Sequence, residues 1–263
     1  MKHIVYILFL VAQAVVSQQN KVSLVVLGTV QDGCSPHIGC QKDCCAPLWD
    51  APDPTRKVVA LGVIDHENGK TFLFEATPNL PEQLKLLKAA AGTERETPDG
   101  IFLTHAHIGH YTGLQFLGRE ALGAKNVAVY AMPKMSSFLA QNGPWSQLVA
   151  LHNIALQDLN DQQPIQLTTN IKVTPFLVPH RDEFSETVGY RIEGPNQKVL
   201  FIPDINKWSK WKHDIREEIK KVDYAFLDAS FFDGEEINNR DISEIPHPFV
   251  IESMALFLSL IHI

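Results

Sequence analysis

The chain has 263 residues, 45% of them apolar and 20% charged, with a net charge of -7. This suits a soluble globular protein of one large or two small domains and excludes a disordered or low-complexity chain. The acidic balance, with no basic run beyond the Lys220-Lys221 pair, argues against broad capture of nucleic acid and leaves a small molecule as the expected partner.

The first element reads as a secretory signal peptide over 1–17. Lys2 supplies the positive start, Ile4 to Ala12 the apolar run, and Ala14 and Ser17 the small residues before cleavage. Alternatively, the run is a buried first strand or an uncleaved anchor. It is shorter than the about 20 residues of a membrane span, so no stable span is expected. The signal reading makes the protein secreted or periplasmic.

A short apolar strand follows over 22–28, ending at Gly28. The next loop holds all four cysteines, Cys34, Cys40, Cys44 and Cys45. An exported chain meets an oxidising compartment, where these could pair. Their crowding equally suits a structural zinc, because closely spaced thiolates can converge on one ion. Segments 58–64 and 71–74 read as a hairpin around Asn68-Gly69. Asn79 to Glu82 resembles a capping box, opening a helix with Leu84, Leu87 and Ala91 on one face.

Gly100 to Leu103 is a buried strand delivering Thr104 and a histidine cluster. A helix through Leu114, Leu117 and Leu122 is expected next, then a strand over 127–131 and a helix over 133–141. Strands follow over 172–178, 187–192 and 198–202. Trp208, Trp211, Ile215, Ile219 and Val222 recur at helical spacing, and 224–227 is a last strand. Hairpins mixed with strand–helix pairs point to an α+β arrangement of sheets covered by helices. No linker divides the segment 18–257. The ending, 258–263, reads as a non-native tail on a C-terminally truncated chain. The apolar tail is otherwise a helix end, and His262 is given no functional weight.

The chemistry centres on His105-Ala-His107-Ile-Gly-His110. Three imidazoles directly after a buried strand can converge on a metal, since neutral imidazole offers a lone pair without charge repulsion. His105 and His107 can point at one ion from an extended loop, while His110, in the first helical turn, can reach a second ion or the substrate.

This segment resembles the His-x-His-x-Asp-His signature of the metallo-β-lactamase superfamily. Later motifs keep that superfamily's order: Val178-Pro-His180, the strand 187–192, and Leu200-Phe-Ile-Pro-Asp204. The resemblance implies an αββα sandwich. It also implies one metal on His105, His107 and His180, with His110 and Asp204 serving a second metal and Asp204 lying between the two. Within the superfamily, Val26-Leu-Gly28, His110-Tyr-Thr-Gly-Leu114 and Val222 to Asp228 are most similar to the branch of pyrroloquinoline-quinone biosynthesis protein B.

Two departures stand out. Gly109 replaces the expected Asp, which leaves the second site a ligand short. A further C-terminal histidine is also expected after a strand, and His247, in a Pro-flanked loop, is a poor substitute. One or two Zn²⁺ ions are therefore expected.

The resulting expectation is a metallo-hydrolase acting on an ester, lactone or phosphodiester-type substrate. Asp204 would orient the attacking water and His110 would hold a second metal or the leaving group. Arg181, Asp182 and Glu186 could contact substrate or be a solvated loop. Glu75 and Asp228 could accept from ligand imidazoles or serve as fold caps. The alternatives are an iron-dependent oxidoreductase related to quinone-cofactor synthesis, because this donor set also suits iron, and a non-catalytic metal-binding protein.

Overall fold

Alternation and apolar runs build two sheets here. The computed structural model describes residues 21–236, 241 and 246–258. The expected signal segment and most of the expected tail lie outside the described residues. The first sheet has six strands in sequence order: β1 (Val22–Gly28), β2 (Ala60–Asp65), β3 (Lys70–Phe74), β4 (Gly100–Phe102), β5 (Val127–Ala131) and β6 (Ile154–Asp158). β1 to β3 are antiparallel, and β3 to β6 are parallel.

The second sheet runs in the order β11 (Tyr224–Leu227), β10 (Lys198–Ile202), β9 (Val188–Glu193), β8 (Lys172–Leu177) and β7 (Ile165–Gln166). Only β10 and β11 pair parallel in it.

The sheets pack face to face through Leu61, Phe74, Phe102, Tyr190 and Phe201. The other face of the first sheet is covered by α2 (Leu80–Ala91), α4 (Pro133–Gln141) and α5 (Trp145–Ala150), through residues such as Leu87, Leu139 and Leu148. The outer face of the second is covered by Trp208, Trp211, α6 (Ile215–Ile219) and α7 (Val250–Leu258). Every residue of β2 is buried because both its faces are covered. This is the expected αββα sandwich.

Several elements differ from the sequence reading. The expected helix through Leu122 is instead one short turn, α3 (Ile108–Tyr111), followed by a 3-10 turn over Thr112–Leu117. The His110 carbonyl accepts from Ala76 N at 2.9 Å, and Gly113 N donates to Ala76 O at 2.9 Å, so the backbone bonds sideways to the end of β3. Leu122 is left exposed.

The expected helix across 208–222 is likewise broken. Trp208 and Trp211 belong to a 3-10 turn and its exit, and the helix starts only after Asp214, whose side chain accepts from Arg216 N. The apolar side chains are buried regardless: the Trp211 indole donates to Leu177 O at 3.0 Å and that of Trp208 to Ser253 Oγ at 2.8 Å.

Asn79 starts α2 without capping it. Its Oδ1 accepts from Val58 N at 3.0 Å and so ties the helix to the segment before β2. Helix α1 (Ala46–Asp50), helix α5 and strands β6 and β7 have no counterpart in the sequence reading.

Candidate metal centre

The site forms where strands of both sheets end. Glu75 directly follows β3, His105 and His107 follow β4, and His110 lies in α3. His180 follows β8, Asp204 follows β10 and Asp228 follows β11. Glu75, His105, His110, Asp204 and Asp228 are all buried. Buried polar groups need partners, so their bonding can be followed atom by atom.

Glu75 has a φ of 83°, a left-handed backbone that costs a non-glycine residue about 1 kcal/mol or more. The parallel pairing sustains it, with Glu75 N donating to Phe102 O at 2.8 Å. Held this way, Glu75 Oε1 accepts from Thr104 Oγ1 at 2.6 Å and lies 3.3 Å from His110 Nδ1. The Thr104 hydroxyl gives its proton to Glu75, so its oxygen accepts from His105 Nδ1 at 2.9 Å. The lone pair of His105 is thereby placed on Nε2.

On the other side, His107 Nε2 donates to Glu183 Oε2 at 3.1 Å, which places that ring's lone pair on Nδ1. These two lone-pair nitrogens, His105 Nε2 and His107 Nδ1, face each other at 2.8 Å. Two lone pairs at that distance repel unless a cation or a shared proton lies between them.

His180 and Asp204 close the same space. One atom from each of His105, His107, His180 and Asp204 falls within 4.8 Å of the others. Asp204 Oδ2 is 3.4 Å from His105 Nε2 and 3.6 Å from His180 Nε2. Both ring nitrogens of His180 are buried with no hydrogen-bond partner among the described residues. Burial lowers the His180 pKa to about 3 and pushes His105 well below its ordinary value, so both rings are neutral and free to ligate. The donor set of imidazoles and one carboxylate suits a divalent transition metal.

His110 is outside that set of four but touches it, with Nε2 3.4 Å from Asp204 Oδ2. Neither of its buried ring nitrogens has a well-formed hydrogen bond among the described residues. Burial opposes charge on this ring, but Asp204 and Glu75 outweigh it and raise the pKa well above the ordinary value. Asp204 itself is disfavoured as an anion by burial, yet His110 and His105 hold its carboxyl well below the usual range.

His247 lies nearer the cluster than its Pro-flanked loop suggests. Its Pro-flanked loop folds back so that Nδ1 lies 2.6 Å from Asp228 Oδ2 and the ring centroid 5.2 Å from that of His180. Asp204, Asp228 and His247 form a second set of donors within 4.8 Å.

The acidic residues after His180 have protein partners. Asp182 accepts from Thr187 Oγ1 at 2.8 Å, and Glu186 accepts from Lys134 N at 3.0 Å. Arg181 borders a cavity of about 240 Å³ together with Asp204 and His247.

In the early loop, Cys40, Cys44 and Cys45 converge within 4.8 Å, while Cys34 is outside that group and none of the four is in a disulfide. Three of the four thiols are thus brought together. His37 N donates to Cys45 Sγ at 3.4 Å.

A four-layer sandwich with a buried His/Asp cluster at its strand ends is the metallo-β-lactamase fold. The chain belongs to the beta-lactamase superfamily, whose domain matches residues 70–260. Among solved structures, it is similar to Zn²⁺-bound PqqB from Methylobacterium extorquens, at 19% identity over 88% of this chain and 84% of that one, with a TM-score of 0.70. A diphosphatase of the PhnP family matches at 23% identity over 91% and 82%, with a TM-score of 0.60. The short form of human tRNase Z matches at 17% identity over 89% and 87%, with a TM-score of 0.56. No curated protein matches the chain. No helix among the described residues is long and apolar enough to cross a membrane.

Proposed function

We propose that the protein is a zinc-dependent hydrolase acting on an ester, lactone or phosphodiester-type bond in a small molecule. The observation that carries this reading is the facing pair of lone-pair nitrogens, His105 Nε2 and His107 Nδ1 at 2.8 Å, with His180 and Asp204 closing the same space. His105, His107 and His180 would hold the ion. A bound zinc acidifies water toward neutrality and polarises an electrophilic carbonyl or phosphoryl group.

The chain's own residues supply the rest. Asp204, anionic and buried, would accept a hydrogen bond from the attacking water and set its direction. Glu75 and Thr104 fix the His105 ring, so the lone pair it presents is set before substrate arrives. A cavity of about 390 Å³, lined by Val26, Leu61, Phe201, Phe226 and Asp204, gives an apolar substrate group a place beside the reacting bond. Arg181, bordering the second cavity, offers a positive charge to an anionic one.

The test is metal analysis of protein purified from medium containing both zinc and iron, followed by assay on esters, lactones and phosphodiesters. Zinc with chelator-sensitive hydrolysis is expected. Stoichiometric iron with oxygen uptake, or no turnover by the zinc-loaded protein, would overturn the reading.

A further inference from the structure

Gly109, in the turn of α3, carries no side chain, and the structure shows what occupies that space. A Cβ at position 109 would fall 2.0 Å from Asp32 Cβ and 2.4 Å from Asp32 Cα. These are impossible contacts, and one of them is with backbone, so the loop after β1 and any side chain at 109 exclude each other. Glycine is therefore dictated by the neighbour that presses against it, and that neighbour is an aspartate.

Asp32 borders the cavity of about 240 Å³ that Asp204, His247 and Arg181 also line. Among the described residues its carboxylate has no hydrogen-bond or ion-pair partner. The same region holds His110, fully buried with both ring nitrogens lacking a well-formed hydrogen bond. It also holds the convergent set Asp204, Asp228 and His247. Asp32 and Asp204 line one cavity, and Asp228 adjoins it through Asp204 and His247; a divalent cation relieves the repulsion among such carboxylates.

We propose that Asp32, carried by the loop after β1, supplies a carboxylate to a second divalent cation held between His110, Asp204 and His247. The ligand missing from the local sequence at position 109 is thus delivered from a segment far away in the chain. This inference rests on the metal-centre reading above and adds Asp32 to the second site that the superfamily resemblance implies.

The experiment uses the full chain stripped of metal, titrated calorimetrically with Zn²⁺, and melted with and without Zn²⁺. The variants are Asp32→Asn, which keeps the shape, Asp32→Ala, and His105→Ala as a control for the first site. Thiol-bound zinc is common to all four proteins and cancels in the comparison. Asp32→Asn and Asp32→Ala are expected to weaken one zinc equivalent at least tenfold and to shrink the zinc-induced rise in Tm. The Tm of the metal-free variants should not fall below that of the metal-free wild type, because the carboxylate has no protein partner to lose.

Unchanged zinc equivalents and an unchanged zinc-induced rise in Asp32→Asn would overturn the inference. So would a lowered metal-free Tm without any change in zinc affinity, which marks a purely structural residue. If His105→Ala loses an equivalent while both Asp32 variants keep all of theirs, only the role of Asp32 fails. If His105→Ala also keeps every equivalent, the metal-centre reading itself fails.

Discussion

His247 Nδ1 and Asp228 Oδ2 lie 2.6 Å apart, and this contact ties the segment after the last strand back to the end of β11. Asp228 is bonded on several sides: its carboxylate also accepts from Ile205 N at 3.1 Å and from Ser230 N at 3.0 Å and Ser230 Oγ at 2.8 Å. It therefore positions both Asp204, through the next residue, and His247.

Replacing Asp228 by Ala leaves buried donors unpaired. Losing hydrogen bonds to a charged group costs about 2–3 kcal/mol. Urea unfolding of metal-free Asp228→Ala should show a loss of that order. His247→Ala, which removes one partner only, should cost less stability while still weakening zinc binding.

Thr104→Val keeps the shape of the side chain and removes the hydroxyl between Glu75 and His105. Loss of an outer partner of a ligating imidazole weakens metal binding by about 10- to 100-fold. Zinc titration of Thr104→Val should show that loss at the site lost in His105→Ala. An affinity equal to wild type would mean that the His105 ring is held by packing alone.

The metal-free protein should lose stability in mild acid through His180. Its folded pKa is about 3, while an unfolded histidine titrates near 6.5. Between these values the unfolded chain binds a proton that the folded one refuses, so stability falls as pH drops through about 6.5 and continues to fall toward 3. His110 and His247 have raised values and act oppositely: the stability they contribute is present in acid and is lost as pH rises through their folded values. The readout is therefore the difference between wild type and His180→Gln in chelator. Urea midpoints from pH 7.5 to 5 should slope less in the variant, and parallel slopes would refute this assignment.

Phe102 is fully buried between the sheets, with ring centroids 4.8 Å from Phe74 and 4.3 Å from Tyr130. Phe102→Ala should cost about 3–5 kcal/mol, by lost burial and the cavity it leaves. Because Phe102 ends β4 just before Thr104 and His105, zinc affinity should fall together with thermal stability.

The sequence carried the parts of this architecture that depend on short-range pattern. Strands 127–131, 198–202 and 224–227 and helix 133–141 lie where alternation and flanking Pro or Asp put them. Failures came where tertiary bonds overrode periodicity. The turn at 108–117 bonds to Ala76 in place of its own next turn, and the Trp208–Val222 face buries its side chains without a continuous helix. At the site, the histidines of 105–110 stand out by their own spacing, whereas His180 and Asp204 are legible only through the superfamily's order of motifs. The approach of His247 to Asp228 and His180 leaves no local mark in the sequence, because it joins distant segments. Asp32 was invisible for the same reason, since only the approach of its backbone to Gly109 reveals it.

Glu75, His105, His180, Asp204 and Asp228 all stand within three residues of a strand's C-terminal end. Framework and chemistry are consequently separable in this molecule. The strands can be inherited almost unchanged while the segments beyond their ends are exchanged, lengthened or recharged. A new substrate would then be accommodated by rewriting the rim, with the two sheets and the bond from the Tyr190 hydroxyl to Leu103 O across them left intact.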